Sequence, residues 1–134
     1  MGEQENVKVV QQLYADVLQG KIPDVLNTLA DDVEWKEPQA GAPPFAGTRR
    51  GRDQVAEFFN HFGKTVELEQ FEPREYIAQG DQVVALGYYR ARWKSTGRTS
   101  ETDWAMVWTF RAGKVAKFQA YTDSAAEVAA RGGA

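Results

Sequence analysis

The stretch "QVAEFFNHFGKTVELEQFEPREYIA", residues 54–78, changes its apolar period at Gly63. Val55, Phe58, Phe59 and Phe62 stand at i, i+3, i+4 and i+7, the stripe of an amphipathic helix. Beyond Gly63 the period falls to two, the mark of a strand with one buried face. Helical patterns dominate before this point and alternating patterns after it. Such an order, three helices with one short strand among them and then an antiparallel meander, predicts the α+β class.

The remaining elements fall around that switch. Val7, Val10, Leu13, Tyr14, Val17 and Leu18 repeat at helical spacing until Gly20. Pro23 opens a second helix without losing a helical hydrogen bond, and Val25, Leu26 and Leu29 form its apolar face. A short strand is expected over 33–37, followed by a loop, "PQAGAPPFAGTRRG", rich in proline and glycine. After the third helix, "KTVELEQFEPREYIA" reads as a strand in which Pro73 marks an edge or a bulge. "VVALGYYRARWKS", "RTSETDWAMVWTF" and "VAKFQAYT" follow as strands separated by turns. "DSAAEVAAR" is a terminal helix capped by Asp123, or by Ser124 with Glu127 three residues on. No repeat or linker divides the chain, so one domain over residues 1–134 is expected.

Composition removes several function classes. Sixteen basic and 19 acidic residues give a net charge of −3, which argues against a nucleic-acid or anionic-membrane partner. No cysteine is present, so disulfides and thiolate metal sites are excluded. The single histidine, His61, argues against a zinc centre or a Ser-His-Asp triad and suits a boundary residue of the third helix. The start lacks a signal-peptide pattern and no apolar run is long enough to span a bilayer. A cytoplasmic protein that uses neither metal nor cofactor is expected.

One residue breaks the pattern in a way that points to chemistry. Val33, Trp35 and Glu37 alternate, so an apolar strand face carries a carboxylate just before Pro38. Desolvation raises the pKa of such a group and suits it to general-base work near neutral pH. The bland alternative is a rim position, or pairing with Arg49 or Arg52.

The segments "LQGKIPDVLNTLADDVEWKEP", "GTRRGRDQVAEFF" and "WTFRAGKVAKFQAY" together resemble the nuclear transport factor 2-like superfamily. Within it the chain is most similar to the ketosteroid isomerases and the SnoaL-like polyketide cyclases, from about Val7 to Asp123. The resemblance implies a cone-shaped curved antiparallel sheet packed against three N-terminal helices, the cystatin-like fold. It also implies that Glu37 is the base that moves a proton on an enolisable ketone. The isomerase oxyanion tyrosine falls at Leu13, with Tyr14 about 100° further around the helix, and the oxyanion acid falls at Met106. Phe118–Ala120 stands where the cyclases place a catalytic acid.

A carbonyl donor must therefore come from elsewhere: Tyr89 first, then Tyr14 or an indole N–H of Trp35, Trp93, Trp104 or Trp108. The resemblance turns Gly87, Tyr89, Ala91, Trp93, Trp104, Met106, Trp108, Phe118, Ala120 and Thr122 into the cone. Tyr14, Val17, Trp35, Phe58 and Phe59 join Trp93, Trp104, Met106, Trp108 and Phe118 as ligand-binding candidates. Gly87, Ala91 and Ala120 leave room among the rings. The expected ligand is a small hydrophobic or aromatic carbonyl compound. Asp103, on the outer face, is expected to pair with Arg90 or Arg92. Val84, Leu86, Tyr88 and Val107 share that face, where the family forms dimers, so a homodimer is expected. The competing function is a ligand-binding or assembly domain without catalysis.

Overall fold

The computed structural model describes residues 2–38 and 47–132. Two helices come first: α1 (Glu3–Leu18) and α2 (Ile22–Asn27), the latter with its proline in the first turn. Strands β1 (Leu29–Glu37) and β2 (Gly47–Arg50) precede α3 (Arg52–Thr65). The meander is β3 (Val66–Gln79), β4 (Gln82–Trp93), β5 (Thr99–Arg111) and β6 (Lys114–Tyr121), closed by α4 (Ser124–Arg131).

The strands form one unclosed sheet in the order β2-β1-β6-β5-β4-β3. The meander and the β1–β2 pair are antiparallel, but β1 runs parallel to β6, so the expected antiparallel sheet is mixed. That seam brings the first strand against the last and sets the site between them. Three local expectations change. Leu29 starts β1 instead of ending α2, because Val115 N–H donates to Thr28 O and draws the chain into the sheet. Residues 47–50, expected as loop, pair with 34–37 as a short edge strand. Residues 39–46 of that loop lie outside the described residues. Helix α3 continues past Gly63 to Thr65, whose hydroxyl donates to the His61 carbonyl.

Pro73 sits on the edge strand β3 and beside a register shift between residues 73 and 75, which is where a residue without an N–H is tolerated. Asp123 caps α4 by accepting from Ala126 N–H. Asp103 pairs with neither Arg90 nor Arg92. Register sets Asp103 opposite Tyr88, and Arg74 approaches it at 4.0 Å, while Arg90 and Arg92 turn to Glu69 and Glu67 on β3.

Alternation along the meander separates the faces cleanly. On β4, Val83, Ala85, Gly87, Tyr89, Ala91 and Trp93 are buried, and the residues between them are half-buried or exposed. The four tryptophans are all buried against the helices. Among the described residues no helix is long and apolar enough to cross a membrane.

Candidate functional site

Register aligns three rings across three strands. Trp35 of β1 pairs with Phe118 of β6, which pairs with Trp108 of β5. Trp35 stacks on Phe118 at 4.0 Å, and Trp108 tilts against Phe118 at 4.4 Å. Phe58 and Phe59 of α3 close on Trp35 at 5.6 and 5.7 Å. In the next inward row the side chains shrink: Met106 pairs with Ala120. The rings cannot fill that row, and a hollow of about 120 Å³ remains. Its scale is that of the ~150 Å³ apolar cavity that admits a benzene ring.

Glu37 opens into this hollow, two residues beyond Trp35 and therefore on the same strand face. The Trp35 indole Nε1–H donates to Glu37 Oε2 at 3.0 Å, and the ring stack fixes the direction of that donor. Loss of water pushes the Glu37 carboxyl up from 4.5 to about 8. The Trp35 hydrogen bond pulls it down, the Glu127 charge pushes it up, and Arg49 has the weakest, lowering influence. Neither suggested guanidinium decides its state: Arg49 lies over the Phe58 ring at 5.7 Å, and Arg52 donates to the Leu29 carbonyl and pairs with Asp31. Such a carboxyl is divided between acid and base near neutral pH, the condition for reversible proton transfer to carbon.

Two hydroxyls face the same space. Tyr14 accepts from Trp108 Nε1–H at 2.9 Å and donates to the Met106 sulfur at 3.2 Å. A thioether is a weak acceptor, so the Tyr14 proton is easily redirected to a ligand oxygen. Tyr89 instead donates to Glu127 of α4, which also accepts from Thr122. Burial pushes both phenols far above the ordinary tyrosine range and keeps them protonated donors; Glu127 adds to the effect at Tyr89.

The structure brings all the sequence candidates to this hollow except Trp104. Trp104 is a correction: it does not line the hollow, and its ring stacks at 5.0 Å and 14° behind Phe71, which does. Gly87 is a second correction. It does not leave room for a ligand, because Trp104, its cross-strand partner, occupies that space. Ala91 is also absent from the lining, whereas Ala120 is present. Leu13 and Tyr14, expected to diverge around α1, both line the hollow, because the curved sheet wraps more than one row of the helix.

Sequence reasoning missed Glu127 and Arg131, which α4 delivers to the lining. Glu127 resembled a capping residue; with Asp123 as the cap, it and Arg131, four residues apart, share the inward face. That shared spacing was the available signal. Arg131 lies over the Trp93 ring at 5.9 Å. Among the described residues no group of three His, Cys, Asp or Glu side chains could hold a metal ion.

The SnoaL-like domain family model matches residues 10–118. Many solved structures are similar, three of them as follows. An NTF2-like protein from Burkholderia xenovorans is 37% identical over 98% of both chains, with a TM-score of 0.89. An NTF2-like protein of unknown function from Burkholderia pseudomallei is 28% identical over 98% of this chain and 99% of that one, with a TM-score of 0.88. TerC, co-crystallised with polyporic acid, is 29% identical over 95% of this chain and 98% of its own, with a TM-score of 0.85. No curated protein matches.

Proposed function

The chain belongs to the SnoaL-like domain family, within the nuclear transport factor 2-like superfamily, and on that premise we propose that it moves protons on a small hydrophobic carbonyl compound without a cofactor, as an isomerase or cyclase. The observation that supports this most is Glu37: a carboxyl inside a ring-lined hollow, held by one indole N–H and with its pKa near 8.

Glu37 as carboxylate takes a proton from the carbon beside the carbonyl. The C–H electron pair becomes the enolate double bond, and negative charge collects on oxygen. Tyr14 turns its proton from Met106 to that oxygen, while Trp108 keeps donating to Tyr14. One such preorganised donor contributes about 2.7–4 kcal/mol in a dry site. Neutral Glu37 then returns the proton to a second carbon, which completes an isomerisation. In a cyclisation the enolate carbon attacks another carbonyl of the same molecule, and the Glu37 proton goes to the new alkoxide. Tyr89 is the second hydroxyl available to a ligand once its bond to Glu127 opens.

A binding-only reading has two observations in its favour. The Tyr89 proton is already directed at Glu127, and Met106 stands where the resemblance expects an acid. Exchange of ketone α-protons in D2O, followed by NMR, separates the two readings, with polyporic acid as a thermal-shift probe of binding. In the catalytic reading Glu37→Gln keeps the thermal shift and slows exchange at least 100-fold. Wild-type exchange rises with pH through about 8, as Glu37 loses its proton. Equal exchange in both proteins leaves binding alone. The half-buried outer face around Val84, Leu86 and Val107 is the surface we assign to a homodimer, with sedimentation velocity as its check.

A further inference from the structure

A second hollow, of about 510 Å³, lies between α1 and α3. Val17, Phe59, Phe62 and Leu68 line it, and the same four side chains line the inner hollow that holds Glu37. The two spaces therefore have these four side chains as a common wall. All four are half-buried, in contrast to the buried Trp35 and Trp108 of the same hollow. Beyond the partition the outer groove is floored by Ala56 and Gly63, small residues on α3, and flanked by Leu18, 54% exposed. A Cβ on Gly63 would meet nothing within 4 Å, so the groove is open where the partition ends.

Size gives the two spaces different tasks. The inner hollow accepts about one ring, while the groove has several times that volume and, among the described residues, no carboxylate or lysine in its lining. We propose that hollow and groove form one ligand site, and that the ligand is a carbonyl compound whose reactive end enters the hollow while an apolar alkyl or aryl tail passes Phe62 into the groove. Phe62 and Val17 are then specificity-determining positions for tail length. This rests on the reading of the hollow as a ligand site and adds the shape of the ligand.

The test uses alkylbenzenes, which probe the path without depending on proton transfer. Benzene, ethylbenzene and butylbenzene are titrated into isotope-labelled protein, and methyl and amide shifts are followed by NMR. Benzene is expected to shift signals of inner residues such as Leu13 and Ala120. Butylbenzene is expected to shift these and also Leu18, Ala56 and Gly63, with Kd tightening about fourfold per methylene. Gly63→Leu places a side chain in the groove without strain, and helix propensity favours it. In that variant the gain per methylene is lost, with benzene as the internal reference. If benzene binds but chain length brings neither groove shifts nor tighter binding, the continuous site is wrong and the Glu37 chemistry still stands. A length gain that survives Gly63→Leu also overturns it. If no probe binds inside, both readings fall.

Discussion

The two ends of the sheet's inner surface use the same kind of side chain to opposite effect. Around Gly87, Trp104 stacks on Phe71 and lies where a glycine Cβ would be, so the rings close the space. Around Glu37, Trp35, Phe118 and Trp108 stack across three strands, but the next row offers Ala120 and a flexible Met106, and a hollow remains. Aromatic content does not decide between core and pocket. The decision lies with the small residue opposite: a glycine that admits a ring closes the space, and an alanine one row beyond a ring leaves it open.

The most forceful way to break this comparison is to change the charge at the open end. Glu37 has a folded pKa of about 8 against 4.5 unperturbed. The folded protein therefore holds a proton that the unfolded chain has already released between those values. The Glu37 contribution is complete below about pH 4.5 and is lost as pH rises through about 8. At roughly 1.4 kcal/mol per pH unit the loss amounts to as much as about 5 kcal/mol. Glu37→Gln should match wild type at pH 4.5 and exceed it by several kcal/mol at pH 9 in urea unfolding. A pH-independent difference between the two proteins would contradict a dry carboxyl.

At the closed end the expected effect is smaller. A Cβ added at Gly87 would lie 2.3 Å from Trp104 Cζ2 and 2.4 Å from the Glu72 carbonyl oxygen, neither the loose tip of a side chain. Gly87→Ala should cost about 3 kcal/mol by overpacking, read as a lower urea midpoint. If stability is unchanged, Trp104 has room to leave, and the contrast between the ends disappears. The smallest expected effect sharpens the open end. Trp35→Phe keeps a ring on Phe118 but removes the N–H that Glu37 accepts. The Glu37 midpoint, followed by carbon NMR, should climb by about one pH unit.

Much of this architecture is legible in sequence because it depends on period. The change of period near Gly63 and the shared face of Trp35 and Glu37 follow from spacing, and the resemblance adds which rows of β4 and β5 turn inward. What is not legible depends on partners distant in the chain. Residues 47–50 carry no alternation of their own and become a strand only because β1 is beside them. Trp104 and Trp108 share one face of one strand, and their cross-strand partners, Gly87 for one and Val83 and Phe118 for the other, distinguish their surroundings. Glu127 reads as part of a helix start until Tyr89 and Thr122 are seen to aim at it. Asp103 finds Arg74 because register, not type, chooses its neighbour.

The parallel seam between β1 and β6 joins residues more than 80 positions apart, since Trp35 of the first strand meets Phe118 of the last. In the unfolded chain Glu37 is hydrated and charged at neutral pH. Folding that seats it beside this seam takes up a proton from the medium between about pH 4.5 and 8, so alkaline buffer works against the joining of the two ends of the sheet.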